Sequence, residues 1–298
     1  MKKYCFNCNQ ENDYYVKKEK VKHVIHGVEL NIEQDNYYCS KCHEEIDGGT
    51  IDDELKTVAI AYLDNYGLSY ESMISIRKKF NLTQELFANV MGWSNKSVVR
   101  YEKGQSIPQK EYINAYLELA LNPYNLFYNL EKKKDELKES YDLIIERLKK
   151  SSLYKNMNIL LFFLNKKGLY KTQINKLAFF SDFLDIKNNK KQISSFKYAH
   201  APYGPVIDDF DEAINDLIQA NIFYFKIDDD DKTIIYANIK CHEEIFDKNE
   251  LFIMNDVYKK YGNLTSKQLS DISHDFIGWK NTKDGEIIDT DYAKELNV

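Results

Sequence analysis

No stretch of this chain stays apolar for long enough to cross a bilayer, and the opening MKKYCFNCNQ has no apolar core of the kind a secretory signal needs. The sequence therefore predicts a cytoplasmic protein with no membrane partner. It also lacks a nucleophile elbow, a phosphate-cradling glycine loop and a paired motif for catalytic metals. An enzyme would have to bring together His200, Asp208, His274 and Asp275, and each histidine has a simpler place. His274 reads as a partly buried donor near Trp279, and His200 as part of the loop before Pro205. No catalysis is expected. Excess positive charge is missing too: 41 Lys and Arg against 47 Asp and Glu leave a net charge of -6, which excludes indiscriminate coating of nucleic acid. Contact with DNA must be local. The acidic clusters Asp208, Asp209, Asp211 and Asp228 to Asp231 fall in the C-terminal half, away from Lys96, Arg100 and Lys103. Cysteine is scarce, and four of the five lie in two Cys-x-x-Cys pairs with Cys241 alone, which fits a metal in a reducing compartment better than disulfides. There is no internal repeat and no long low-complexity segment.

What remains is a chain of 298 residues, 43% hydrophobic and 14% aromatic, long enough for two or three folded domains. Its most informative stretch runs from Leu82 to Gly104. Thr83 is placed to cap a short helix carrying Leu86, Phe87, Val90 and Met91, and Gly92 to end it. Ser94 is placed to cap a second helix that buries Val98, Val99 and Tyr101. Asn95, Lys96, Ser97 and Arg100 are then left outward, residue types that read base edges and phosphates. This is a helix-turn-helix, with Lys96, Ser97 and Arg100 expected at the bases and Gln84, Asn95 and Lys103 at phosphates or the groove edge. Leu82, Thr83, Gln84, Ala88, Gly92, Ser94, Arg100, Tyr101, Glu102 and Gly104 together resemble the Xre/Cro pattern.

Cys5-Phe-Asn-Cys8 and Cys39-Ser-Lys-Cys42 form paired knuckles. Four thiolates from two tight turns suit one structural, tetrahedral Zn2+ per chain, with no open position for water. Between them Tyr14 to Val16, Val21 to Ile25 and Val28 to Ile32 read as strands, with Gly27 as a turn. His23, His26 and His43 are alternative ligands, read as surface or neighbouring side chains. A zinc ribbon ahead of this helix-turn-helix resembles the MqsA-type antitoxins, on the four cysteines, the Arg100-Tyr101-Glu102-Lys103-Gly104 run and Asn122-Pro123. That resemblance implies a dimer that represses its own operon through an Asn and an Arg one helical turn apart. Arg100 matches the Arg, but Lys96 stands at the Asn position.

Leu55, Val58, Ala59, Tyr62 and Leu63 stripe a helix from Asp52 to Asn65, and a helix from Glu111 to Leu121 closes the reading head before Pro123. Leu130, Leu137, Tyr141, Ile144 and Leu148 then fall near heptad positions, with Lys134 interrupting, so a dimerising coiled coil and a solvated linker helix both fit. Beyond Ser151-Ser152 the pattern predicts a helix from Leu153 to Leu164, another from Thr172, and a third in which Pro205 takes the first turn and which buries Val206, Phe210, Ala213, Ile214, Leu217 and Ile218. A hairpin follows around Asp228 to Lys232. Two last helices are expected, the second opened by a Thr265/Gln268 capping box. A winged helix is the other reading of this region, but its wing would meet phosphates with four aspartates. Lys176-Leu177, Phe180, Phe183-Leu184, Tyr198, Tyr203-Gly204-Pro205-Val206, Leu269-Ser270, Ser273-His274 and Trp279 resemble the Panacea, or SocA-like, antitoxin domain. The resemblance implies direct binding and neutralisation of a toxin encoded beside it, some members acting instead as protease adaptors.

The expected fold is thus α+β and mostly α: a zinc ribbon (1–50), a helix-turn-helix domain (51–129), a linker helix (130–150) and a helical toxin-binding domain with one β-hairpin (151–298). The expected function is that of a type II antitoxin that binds operator DNA and an adjacent-gene protein toxin, as a homodimer. The alternative is a transcription regulator of a mobile-element or phage-defence locus, or a protease adaptor, without a cognate toxin.

Overall fold

The computed structural model describes residues 2–47 and 51–297, with the backbone alone for 51–54. The expected boundary between residues 50 and 51 adjoins 48–50, which lie outside the described residues. The fold is α+β and mostly helical. It divides into two compact units, one running up to Lys79 and including Thr83–Leu121, the other made of Phe80–Leu82 and the chain from Asn122 onward.

In the first unit Lys2–Cys5 (β1), Gln10–Ile25 (β2), Val28–Cys39 (β3) and Glu45–Ile46 (β4) make one antiparallel sheet in sequence order. The three short runs read from the sequence are parts of two long strands. The charged residues between them stay extended because they pair across the ladder, Lys18 opposite Asp35 and Lys20 opposite Glu33. His26 and Gly27 turn the hairpin at φ 47° and 80°, the left-handed conformation a two-residue turn of this kind demands. His26 then packs its ring on Tyr62 of α1 (Ile51–Asp64), the centroids 5.7 Å apart. Val58, Ala59, Tyr62 and Leu63 are buried as the stripe predicts, whereas Leu55 is largely exposed.

Tyr70–Lys79 (α2), Gln84–Met91 (α3), Asn95–Glu102 (α4) and Lys110–Leu121 (α5) complete this unit. Helix α2 has no counterpart in the sequence reading, since YESMISIRKK offers few apolar residues to form a stripe. Phe87, Val90, Val98, Ile113, Tyr116 and Leu119 are buried. Trp93, between α3 and α4, packs against Tyr112 and Tyr116 with centroids 4.8 and 5.3 Å away.

The stretch expected to be one linker helix is broken. It forms α6 (Tyr124–Lys132), α7 (Lys134–Leu137) and α8 (Glu139–Leu148), with Lys138 in a positive-φ conformation between the last two. Leu130, Tyr141, Ile144 and Leu148 are buried within the second unit, so the stripe that suggested a coiled coil is a core face. Polar bonds fix this arrangement. Glu131 accepts from Tyr141 at 2.6 Å and lies 2.8 Å from His242 Nε2, and the backbone N–H of His242 donates to the Asn158 side chain at 2.8 Å.

Helix α9 (Ser152–Leu164), capped by Ser151, and α10 (Lys171–Asn189) form the centre of the second unit. Every residue of α10 from Gln173 to Asp185 is buried. Around it lie Phe210–Gln219 (α11), Lys248–Tyr261 (α12), Ser266–His274 (α13) and Ile277–Lys280 (α14). The Thr265/Gln268 capping box is present. The expected hairpin is Phe223–Ile227 (β8) with Thr233–Ala237 (β9), but Leu169–Tyr170 (β5) adds a third strand, in the order β5-β9-β8. Tyr198–Ala199 (β6) and Val206–Ile207 (β7) make a second small pair. That pair corrects the expectation for Pro205. Val206 and Ile207 are held in a ladder, so the helix opens only at Phe210, and it buries Phe210, Ile214 and Leu217.

Candidate metal centre, nucleic-acid interface and partner domain

The pairing of β1 with β2 and of β2 with β3 brings the two knuckles to the same end of the sheet, since Cys5 sits opposite Gln10 and Cys39 opposite Tyr14. Cys5, Cys8, Cys39 and Cys42 converge with their sulfurs within 4.8 Å of one another. The Cys5 and Cys42 sulfurs are 3.5 Å apart and those of Cys8 and Cys39 4.0 Å apart. Four sulfurs around a tetrahedral ion with bonds of about 2.3 Å would be separated by about 3.8 Å, so the cluster has the size of a metal site. Backbone N–H groups point at the sulfurs: Cys8 donates to Cys5 and Lys41 to Cys39, each at 3.4 Å. The Asn12 amide adds a donor to Cys39 at 3.5 Å.

The thiols divide by environment. Burial opposes ionisation of Cys39, but the Cys42 and Lys41 N–H groups outweigh it and bring its pKa down to about 6. Cys8, beside the Cys42 sulfur and desolvated, is pushed up to about 12. Four thiolates do not coexist here without a cation, and the four cysteines can hold a metal ion. Among the described residues the apolar core around them is Ile46 with the rings of Tyr14 and Tyr37, too little to hold the knuckles closed by burial. Among the described residues the candidate metal cluster contains no histidine; His43 instead faces the Tyr15 hydroxyl at 3.4 Å.

In the reading head Thr83 caps α3, its hydroxyl accepting from the Leu86 N–H at 3.2 Å, a bond of the kind worth about 1 kcal/mol. Gly92 ends α3 in the left-handed region, φ 72°. Ser94 occupies the N-cap position of α4, but its side chain makes no capping bond. Asn95, Lys96, Arg100 and Lys103 are exposed, and Ser97 is half-buried. Val98 and Tyr101 face inward, while Val99 is only partly covered. Gln84 is half-buried, and its amide donates to Glu102 at 2.8 Å. Glu102 is in turn gripped by Arg77 through two bonds of 2.6 and 2.7 Å. Sequence reasoning missed this pair, because Arg77 lies on the helix that carries no apolar stripe.

The histidines weighed as catalytic do come together, but not with carboxylates. Trp279 is stacked between His200 and His274, centroids 4.4 and 4.3 Å away and rings within 22° of parallel. His200 Nδ1 is bonded to the Trp279 carbonyl at 2.8 Å, and His274 Nε2 is buried and has no hydrogen-bond partner among the described residues. Asp275 instead accepts from Lys280 at 3.2 Å on the surface. No base and orienting acid are assembled among these four residues.

Beneath them, α10 carries buried polar groups that periodicity could not flag. Asp182 accepts from Tyr198 at 2.7 Å, from the Ser194 N–H at 2.8 Å and from the Ser194 hydroxyl; burial nevertheless raises its pKa. Lys176 is also buried, and its amine donates to the Pro205 carbonyl at 2.6 Å. Desolvation lowers its pKa to about 7.

Residues 174–280 match the family of antitoxin SocA-like Panacea domains, and residues 73–119 match the helix-turn-helix family. The chain carries a Panacea domain fused behind a helix-turn-helix of Xre type. Both are non-enzymatic families. The helix-turn-helix match runs from within α2 through most of α5, and so includes Arg77 and the exposed face of α4. The Panacea match runs from within α10 through α14, and so includes the buried Lys176 and the Trp279 stack. No significant match to a curated protein or to a solved structure was found. Among the described residues no helix is long and apolar enough to cross a membrane.

Proposed function

We propose that the protein is an antitoxin that neutralises a toxin encoded beside it by binding it with the Panacea domain, and that it represses its own operon through the helix-turn-helix. The observation that carries this reading is the presence on one chain of a Panacea domain and of a reading helix whose outward residues are Asn95, Lys96 and Arg100. Arg100 and Lys96 would read guanine edges, with Ser97 beside them, while Asn95 and Lys103 meet phosphates. Gln84 lies at the same end of α3, and its bond to Glu102 makes it a residue that positions the head as much as one that contacts the backbone. Operators of such heads are read by dimers on half-sites about one helical turn apart, so a homodimer on a palindromic operator in the cytoplasm completes the reading.

We assign the metal as zinc. Four cysteine sulfurs at tetrahedral spacing favour it, and it would fix the ribbon without taking part in chemistry.

The test is growth of cells expressing the neighbouring reading frame alone. Growth arrest that the full chain relieves, with the two proteins copurifying, supports the reading. An Arg100→Ala chain should still relieve the arrest while binding the DNA upstream of its own gene much more weakly. A harmless neighbour would overturn the toxin half and leave a regulator of a mobile-element or phage-defence locus, or a protease adaptor.

A further inference from the structure

The Panacea unit contains a cavity of about 530 Å³ whose lining includes Lys176, Gly204 and the first turn of α11. Three features of its wall concern charge. Lys176 is only 2% exposed, yet a single carbonyl, that of Pro205, is its hydrogen-bond partner, and among the described residues no carboxylate lies within ion-pair distance of it. The ten-residue helix α11 presents its N-terminus to the same space without a side-chain cap. Such an end carries roughly half a positive charge and unbonded N–H groups. At the mouth the sign reverses. Asp209 and Glu212 are exposed, whereas Asp211 is already paired with Lys171 at 2.7 Å.

We propose that this cavity seats a carboxylate side chain of a protein partner, and that basic residues flanking the carboxylate meet Asp209 and Glu212 at the rim. The proposal rests on the reading of the Panacea domain as toxin-binding and specifies the chemistry of the docking segment. An inserted carboxylate completes the donor capacity of the Lys176 ammonium and faces the helix terminus. The acidic rim disfavours a lone anion and favours one with cationic neighbours, so selectivity follows from the order of charges along the partner's chain. Exposed Tyr203, beside Gly204, supplies the aromatic edge on which such a segment can lie.

The experiment uses the full chain with labelled lysine, and the Lys176 side-chain resonance is followed by NMR. The probes are acetyl-Arg-Glu-Arg-amide, its Gln counterpart, and acetate. The Glu peptide should move the Lys176 signal saturably, the Gln peptide should bind at least tenfold more weakly, and acetate should be weaker than the Glu peptide. Lys176→Met, which keeps the apolar stem, should weaken the Glu peptide at least tenfold by isothermal titration calorimetry. Glu212→Lys, on the exposed rim, should weaken the peptide several-fold and leave acetate unchanged or improved. Equal binding of the Glu and Gln peptides, no response of Lys176, or acetate binding tighter than the peptide would each overturn the proposal. The probes involve no toxin, so failure here would leave the neutralisation test standing on its own.

Discussion

Arg77 holds Glu102 through two parallel hydrogen bonds, Nε to one carboxylate oxygen at 2.6 Å and Nη2 to the other at 2.7 Å, with the acid side chain only 2% exposed. The pair ties α2 to the end of α4 and thereby sets the angle at which the reading helix is presented. Removing one partner leaves a buried charge. Glu102→Ala should destabilise the first unit by about 3 to 5 kcal/mol, seen as an earlier denaturant transition of that unit, with DNA binding lost in parallel. Substituting both residues by apolar ones should cost markedly less than the sum of the two single changes.

Arg100 is exposed and has no such duty. Arg100→Ala should lower affinity for the operator roughly 5- to 150-fold without shifting the denaturation midpoint, measured by fluorescence anisotropy with labelled DNA. Lys103→Ala should weaken all sequences alike and reduce the slope of log affinity against log salt by about 1.

Metal content should be about one ion per chain by mass spectrometry of the native protein and should vanish in Cys39→Ser. A chelator should open the knuckles first. Thiols at Cys5, Cys8, Cys39 and Cys42 should become reactive before the α-helical signal falls; helix loss at the same chelator concentration would contradict a ribbon that is held locally.

Lys176 gives a pH signature. The unfolded chain keeps a proton on this amine up to about pH 10.5, while the folded chain releases it near 7. Between those values the unfolded state binds more protons, so stability contributed at this site rises with pH. The penalty for burying the ammonium is fully present below pH 7 and fades toward pH 10.5. Lys176→Met should gain most over the parent chain at pH 6, by roughly 4 to 5 kcal/mol at most, and lose that advantage by about pH 10.5. Denaturant midpoints of the two proteins across that range are the measurement.

Gly204 should not tolerate a side chain. Its φ is +89°, and an added Cβ would overlap the Ser273 hydroxyl and come within 2.9 Å of the Lys176 amine. Gly204→Ala should destabilise the second unit by more than about 1 kcal/mol and perturb the Lys176 resonance, whereas Gly285→Ala, with open space around it, carries only the cost of its positive φ.

The features legible in the sequence are those whose chemistry is local. Thr83 and Gly92 act on backbone groups a few residues away, and two Cys-x-x-Cys pairs announce their partner by valence, so both could be read without knowing the fold. Ser94 shows the limit, because its type and position were right while its hydroxyl makes no capping bond. Features decided by distant partners stayed hidden. The heptad-like stripe of Leu130 to Leu148 looked self-complementary until Glu131 met His242 and Tyr141, residues 111 and 10 positions away. The helix expected from Thr172 is α10, but its burial on every side, Lys176 and Asp182 included, is something periodicity gives no sign of. Pro205 suits a first helical turn, yet the pairing of β6 with β7 keeps the two residues after it extended.

The Glu131 and His242 contact also says where this chain can be cut. A piece beginning at Leu153 would leave behind Leu130, Tyr141, Ile144 and Leu148, all buried in the second unit, and expose the surfaces they cover. Such a piece should aggregate more readily than one beginning at Asn122, which leaves behind only Phe80–Leu82 of the unit. Gene shuffling that joined new DNA readers to this domain would face the same constraint. The cassette therefore carries α6 to α8 as its own clasp rather than as a disposable spacer, and a new reader joined at Asn122 has to supply a substitute for Phe80–Leu82.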